Sequence, residues 1–220
     1  MKNIKPALDL QAVLAAAKDV HYLLRRGYKL ESCIDLATCR YMLNETERKI
    51  LLRLFSGFNV KFKKIKRLRA AELYIDGYNV LITAAVLLKK GLVVKSIDGL
   101  LRDIEGKHGK FSRPGELLAA AQVVDRFLRE ELRFRGKVVV VLEKNIPRSA
   151  QLARELRSST TMDALLAAQV DNYLLAAKGE VATSDSLIIA RRKKVFPLTL
   201  YLLKVHKPGI LVTPRTVQFF

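Results

Sequence analysis

The run KVVVVLE, Lys137 to Glu143, is apolar at consecutive positions rather than alternate ones. A strand with one face in water alternates, whereas one that is apolar on both faces must be covered on both, which is the condition of a strand inside a parallel sheet. ELYID (Glu72 to Asp76), EVATSD (Glu180 to Asp185) and GILVTP (Gly209 to Pro214) are shorter runs of the same texture. Between them lie helical stretches: PGELLAAAQVVDRFLREELRFRG, SAQLARELRS and TTMDALLAAQVDNYLLAAKG. Strands separated by helical connections point to an α/β sandwich built around a parallel sheet, placed over residues 71–220.

Upstream the period changes. In LDLQAVLAAAKDVHYLLRRG the residues Leu10, Val13, Leu14, Ala17, Val20 and Leu24 share one helical face, and Gly27 is a stop signal. KLESCIDLATCRYML repeats the spacing, and Asn44 with Glu47 three residues later has the form of a capping box. Residues 1–60 therefore read as a small all-α domain of three helices. KFKKIKRLR follows, with Lys61, Lys63, Lys64, Lys66, Arg67 and Arg69 in nine positions, and reads as a basic linker over 61–70.

The chain carries 40 Lys and Arg against 21 Asp and Glu, a formal net charge of +19. A chain so basic faces a polyanion, most often nucleic acid, and the 61–69 run is the expected backbone-phosphate strip. Cys33 and Cys39 are too few for a disulfide scaffold and lack a metal-ligand spacing, so reduced thiols in a reducing interior are expected. The amino terminus lacks the apolar core of a secretory signal, and apolar windows such as VLITAAVLLKKGLVV are broken by charge short of a membrane span. The expected location is the cytoplasm.

Against this basic background the acids gather at strand ends. Asp76 closes LYID, Glu143 closes VVVVLE and Asp185 closes VATSD; Asp171 stands in a helical stretch, and Asp98 and Asp103 in the loop-like SIDGLLRDIEGKHG. Ligands of open parallel sheets bind beyond the carboxyl ends of the strands. Carboxylates collected there repel one another unless a cation lies among them, and hard oxygen donors select Mg²⁺ or Mn²⁺. Each acid also has a structural reading. Asp76 can close a turn with Gly77, Asp185 can N-cap SLIIARRK, Asp163 can start a helix, and Asp103 can pair with Arg102 or a neighbouring lysine.

YIDGYNVLIT, followed by VDNYLL and VATSDSLI, resembles the PIN/NYN superfamily of metal-dependent ribonucleases over roughly residues 71–195. YLLRRGY, RYMLNETERKILLR and DGLLRD look like an archaeal-type family of unassigned function that joins such helices to a PIN-like domain. The resemblance implies a Rossmannoid three-layer domain with Asp76 as the first-strand metal ligand. It implies Asn79 as a phosphate or metal-water contact, and Asp171 and Asp185 as further acids, with Thr183 and Ser184 beside them. The middle acid is left among Asp98, Asp103 and Glu143, with Asp163 a weaker alternative to Asp171. His108 in GKHGK reads as a loop histidine touching phosphate, His21 and His206 as structural or surface residues, and Tyr78 as core or as a base-stacking ring.

The function implied is Mg²⁺- or Mn²⁺-dependent hydrolysis of RNA phosphodiesters, with Asp76, Asp171, Asp185 and Asn79 at the centre. The rival reading is an RNA-binding module on the same fold that does not cut, associated with ribosomal or transfer RNA. Nucleotide-binding glycine signatures are absent from the sequence.

Overall fold

A computed structural model describes residues 8–105 and 114–216. Three helices come first: α1 (Leu10–Arg25), α2 (Leu30–Arg40) and α3 (Glu45–Leu54). Asp9 caps α1 by accepting from Ala12 N at 3.0 Å. The capping box of α3 forms as expected: Asn44 Oδ1 accepts from Glu47 N at 3.1 Å, and Glu47 Oε2 from Asn44 N at 2.9 Å. Glu47 is buried because its other oxygen accepts from Asp9 N at 2.8 Å, tying α3 to the start of α1. The buried face of α1 is Val13, Ala16, Ala17, Val20 and Leu24, so Leu10 stands outside the face expected to include it.

The α/β part contains β1 (Lys63–Lys64), β2 (Glu72–Asp76), α4 (Gly77–Leu88), β3 (Leu92–Lys95) and β4 (Leu101–Asp103). After these come α5 (Pro114–Arg126), which runs into a π-helical turn at Phe127–Glu131, β5 (Lys137–Glu143) and α6 (Ser149–Ser159). The remainder is β6 (Asp163–Ala167), α7 (Val170–Ala176), β7 (Glu180–Ala182), α8 (Ser186–Arg192), β8 (Lys194–Val195), α9 (Leu198–Val205) and β9 (Ile210–Val212). The central sheet is parallel throughout, in the order β6-β5-β2-β7. A parallel bridge from Ala182 to Phe196 attaches β8 beyond β7, and β1 pairs outside β8.

Both faces of this sheet are covered, as consecutive apolar positions require. Val138, Val140 and Leu142 pack with Leu73 and Ile75 beneath α4, α5, α6 and α9. Val139 and Val141 point the other way, to Val170, Leu174 and Ile188 of α7 and α8. Each such side chain withdrawn from water contributes about 1.5–3 kcal/mol.

Three segments differ from the sequence expectation. DALLA, read as helix, is β6: its Ala and Leu favour helix, but the open side of β5 supplies five paired residues, from Val139↔Asp163 to Glu143↔Ala167. Asp163 accordingly begins a strand rather than a helix. The stretch read as a loop around Asp98 and Asp103 is the β3–β4 hairpin, antiparallel in the register Val93↔Asp103. GILVTP does not join the central sheet; β9 pairs in parallel with β3, and Ile210 and Leu211 remain exposed.

The basic run is also not simply a linker, because Lys63 and Lys64 form β1 against Lys194 and Val195. Among the described residues, no helix is long and apolar enough to cross a membrane.

Candidate functional site

The chain leaves β2 toward β5 and β6 on one side, then returns to β7 on the other. The point where this order reverses lies between the carboxyl ends of β2 and β7, and there an open α/β sheet leaves a crevice for ligand. Asp76 is the last residue of β2, and residues 183–185 follow β7 directly.

Asp76 is 3% exposed. Thr183 Oγ1 donates to Asp76 Oδ2 at 2.8 Å and accepts from Asp185 N at 2.9 Å, so one hydroxyl ties the carboxylate of Asp76 to the backbone of Asp185. Asn79, in the first turn of α4, accepts through Oδ1 from Ser184 N at 2.9 Å and from Ser184 Oγ at 2.7 Å. The Asp-Gly-Tyr-Asn and Thr-Ser-Asp segments thus interlock side chain to side chain. Asp76 occupies the N-cap position of α4 without making a side-chain cap bond there. Gly77 is helical, and glycine is required for another reason: a Cβ would come 2.7 Å from Val141 O and 2.6 Å from Leu142 Cδ2.

Asp185 does make a cap. Its Oδ1 accepts from Leu187 N at 2.8 Å and Ile188 N at 3.2 Å, the structural role open to it from sequence. Asp103, buried, accepts through Oδ2 from Thr83 Oγ1 at 2.8 Å, which places it one turn along α4 from Asn79. Glu143 ends β5, the neighbour of β2, and stands by Tyr78. The Tyr78 hydroxyl lies 2.6 Å from Ser149 Oγ, which donates to Glu143 O at 2.6 Å. Burial pushes the Tyr78 phenol up; the Ser149 contact opposes that shift, and the Glu143 charge adds to it. Asp171, half-buried in the first turn of α7, lies beyond the end of β6, and no hydrogen bond or ion pair joins it to the other acids among the described residues.

Asp98 is a correction. Both its oxygens are held by Arg102, Nη1 at 2.9 Å and Nη2 at 2.6 Å, and the two side chains are 1% and 4% exposed. A carboxylate held by a buried guanidinium fork is an ion-pair partner, not a metal ligand. The sequence pairing of Arg102 with Asp103 is replaced by this one across the hairpin. Arg102 Nε then donates to Ser184 O at 2.9 Å, so the pair buttresses the Thr-Ser-Asp loop from behind. The sequence offers Arg102 only as a partner for Asp103; its reach to Ser184, 82 residues on, has no local signal in a chain with 40 Lys and Arg.

The basic run does not lie beside Asp76. Arg69 N and Ala70 N donate to Glu180 Oε2 at 3.0 and 3.4 Å, and Ala71 O accepts from Lys137 N at 2.8 Å. Glu180 and Lys137 are the first residues of β7 and β5, so this part of the run lies at the amino edge of the sheet. Asp76 is at the other end of a five-residue strand, roughly 15 Å away. Lys64 turns inward to the hairpin; burial lowers its amine pKa against the opposing pull of Asp98. Lys61 and Lys63 are exposed beside it. His108 lies outside the described residues.

Residues 65–201 match the family model described as "Domain of unknown function (DUF5616)". The chain belongs to this family. Residues 12–67 match a second model, "Protein of unknown function (DUF434)", so the two matches meet inside the basic run. An uncharacterized protein of Methanocaldococcus jannaschii is 30% identical over 184 residues, covering 79% of this chain and 87% of its own length. No solved structure matches the chain.

The donors at the crevice are carboxylate, amide and hydroxyl oxygens, a set suited to Mg²⁺ or Mn²⁺ rather than to softer ions. Among the described residues, no three His, Cys, Asp or Glu side chains come together as a preformed cage. That is compatible with Mg²⁺, which keeps several waters and is commonly held by one or two carboxylates together with substrate phosphates.

Proposed function

We propose that the crevice between β2 and β7 hydrolyses RNA phosphodiesters with Mg²⁺ or Mn²⁺, on a Rossmannoid domain of the PIN/NYN-like kind. One observation carries this reading: in a chain of net charge +19, a buried aspartate stands at the switch point of a parallel sheet, hydroxyl-bridged to the loop of a second aspartate. The strand order β6-β5-β2-β7 supports the finer fold assignment. Asp76 and Asp185 would hold the ion, with Asp103 or Glu143 as the third acid and Asp171 at the rim. An ion there supplies Lewis-acid activation of water and stabilisation of the leaving oxygen. Thr183 fixes the orientation of Asp76, while Asn79 and Ser184 lock the two loops in register and present polar groups to a phosphate.

The second reading, an RNA-binding module that does not cut, is favoured by the cap made by Asp185 and by the dispersed acids. Asp76→Asn separates them. Asparagine keeps the volume and can still accept from Thr183, but the charge facing the ion is gone. Purified wild type and variant are incubated with mixed cellular RNA, with Mn²⁺ or with chelator. Mn²⁺-dependent cleavage by wild type and its loss in the variant, at an unchanged melting temperature, is the expected result. Equal cleavage by both overturns this site, and no cleavage by either moves the assignment to the binding module.

A further inference from the structure

The amino edge of the central sheet, opposite the crevice, carries a trough that the acidic site does not use. Two adjoining depressions share Lys66, Arg67 and Arg69. One continues past Arg133 and Arg135, in the loop that leads into β5; the other continues to Lys63. All six side chains are exposed, and none is ion-paired among the described residues. The acids along the trough are Glu131 and Glu180, and Glu180 is occupied by the amides of Arg69 and Ala70.

These six cations, with exposed Lys194 beside them in the second depression, repel one another, and folding gains nothing from bringing them together, so a bound polyanion is the natural counterpart. Four of them are arginines, whose planar forks suit phosphate oxygens in two-point contact. The aromatic rings lining the trough, Phe134 and Phe196, are buried, so neither offers a face for bases to stack on. Exposed large apolar residues such as Met42, Leu187 and Val205 lie elsewhere. A membrane-surface site needs apolar groups to insert beside its cations, and a concave trough fits a rod better than a flat bilayer.

We propose that this trough binds the phosphodiester backbone of a nucleic acid without regard to base sequence. It is a docking site on the edge away from the crevice, and it holds whether or not the crevice cuts.

The test uses the full chain in chelator, so that cleavage plays no part. Anisotropy of a labelled oligouridylate, and of a matching thymidylate, is followed across a salt series. Replacing Arg67, Arg69, Arg133 and Arg135 by Gln removes four contacts, which should weaken binding about tenfold or more and flatten the log–log salt slope by about 3. A control with Lys18, Arg25, Arg26 and Lys29 replaced by Gln has the same loss of charge on the exposed helical face and should bind nearly as wild type. Loss confined to the ribonucleotide probe assigns the trough to RNA, and loss of both assigns it to the shared backbone. Equal loss in the two variants would reduce the effect to net charge and overturn the proposal. Unchanged nucleic-acid affinity would also overturn it, and lost binding to phosphatidylserine vesicles alongside would give the trough to a membrane.

Discussion

Asp98 and Arg102 show how one residue pair can decide the shape of a site that neither enters. Arg102 is buried, its fork on Asp98 and its Nε–H on the carbonyl of Ser184. Breaking one member of such a pair leaves a buried charge uncompensated, which costs about 3–5 kcal/mol. Arg102→Met is therefore expected to destabilise the protein by that amount in chemical denaturation. Adding Asp98→Asn, which keeps an acceptor for Leu100 N, should recover at least half of the loss. Independent, additive losses in that cycle would show that the pair is not coupled. Arg192 works on backbone instead. Its guanidinium collects the carbonyls of Leu174, Ala177 and Gly179 at 2.7–2.9 Å, closing the end of α7 before β7 begins. Burial accordingly lowers the pKa of Arg192.

At the scale of elements, the start of α3 is both a local signal and a long-range joint. The capping box needs only Asn44 and Glu47, and it was readable from their spacing. The contact from Glu47 to Asp9 N, thirty-eight residues away, needed the folded bundle. Glu47→Ala deprives two amides of their acceptor and should cost about 2–3 kcal/mol of thermal or denaturant stability. Glu47→Gln, with one acceptor oxygen left, should fall between alanine and wild type. The other end of α3 is closed by the β3–β4 hairpin, where Ile97 N donates to Leu54 O at 2.7 Å and Ser96 Oγ to Arg53 O. Propensity and pairing disagree in β6, whose Ala and Leu residues favour helix but become a strand because β5 offers a partner.

For the molecule as a whole, the helices and the small sheet share one core. Val94 of β3 and Val212 of β9 are buried among Val13, Val20, Ile34, Leu51 and Leu54. A fragment beginning at residue 61 would present Val94 and Val212 to water, a loss of about 1.5–3 kcal/mol for each. It would also lose the α3 contacts to the hairpin that carries Asp98 and Arg102. Such a fragment is expected to lack the cooperative thermal transition of the full chain, as followed by circular dichroism. A fragment melting at the wild-type temperature would show that the α/β part stands alone.

The amino-acid sequence by itself determined the parallel sheet, helices that cover it, the α3 cap, and the placing of Asp76 and Glu143 at strand ends, with Asp185 three residues beyond β7 as the cap of α8. These follow from near-neighbour rules: hydrophobic period, capping chemistry and the run of β-branched residues. Tertiary structure alone decided which side chains meet around Asp76 and the Thr-Ser-Asp loop. Thr183 reaches Asp76 across 107 residues of chain, and Arg102 reaches Ser184 across 82. It also put Lys66, Arg67 and Arg69 at the edge opposite Asp76, although only a few residues of sequence separate them. The physical reason is strand direction: a strand delivers its two ends to opposite edges of the sheet, so nearness along the chain becomes distance in space.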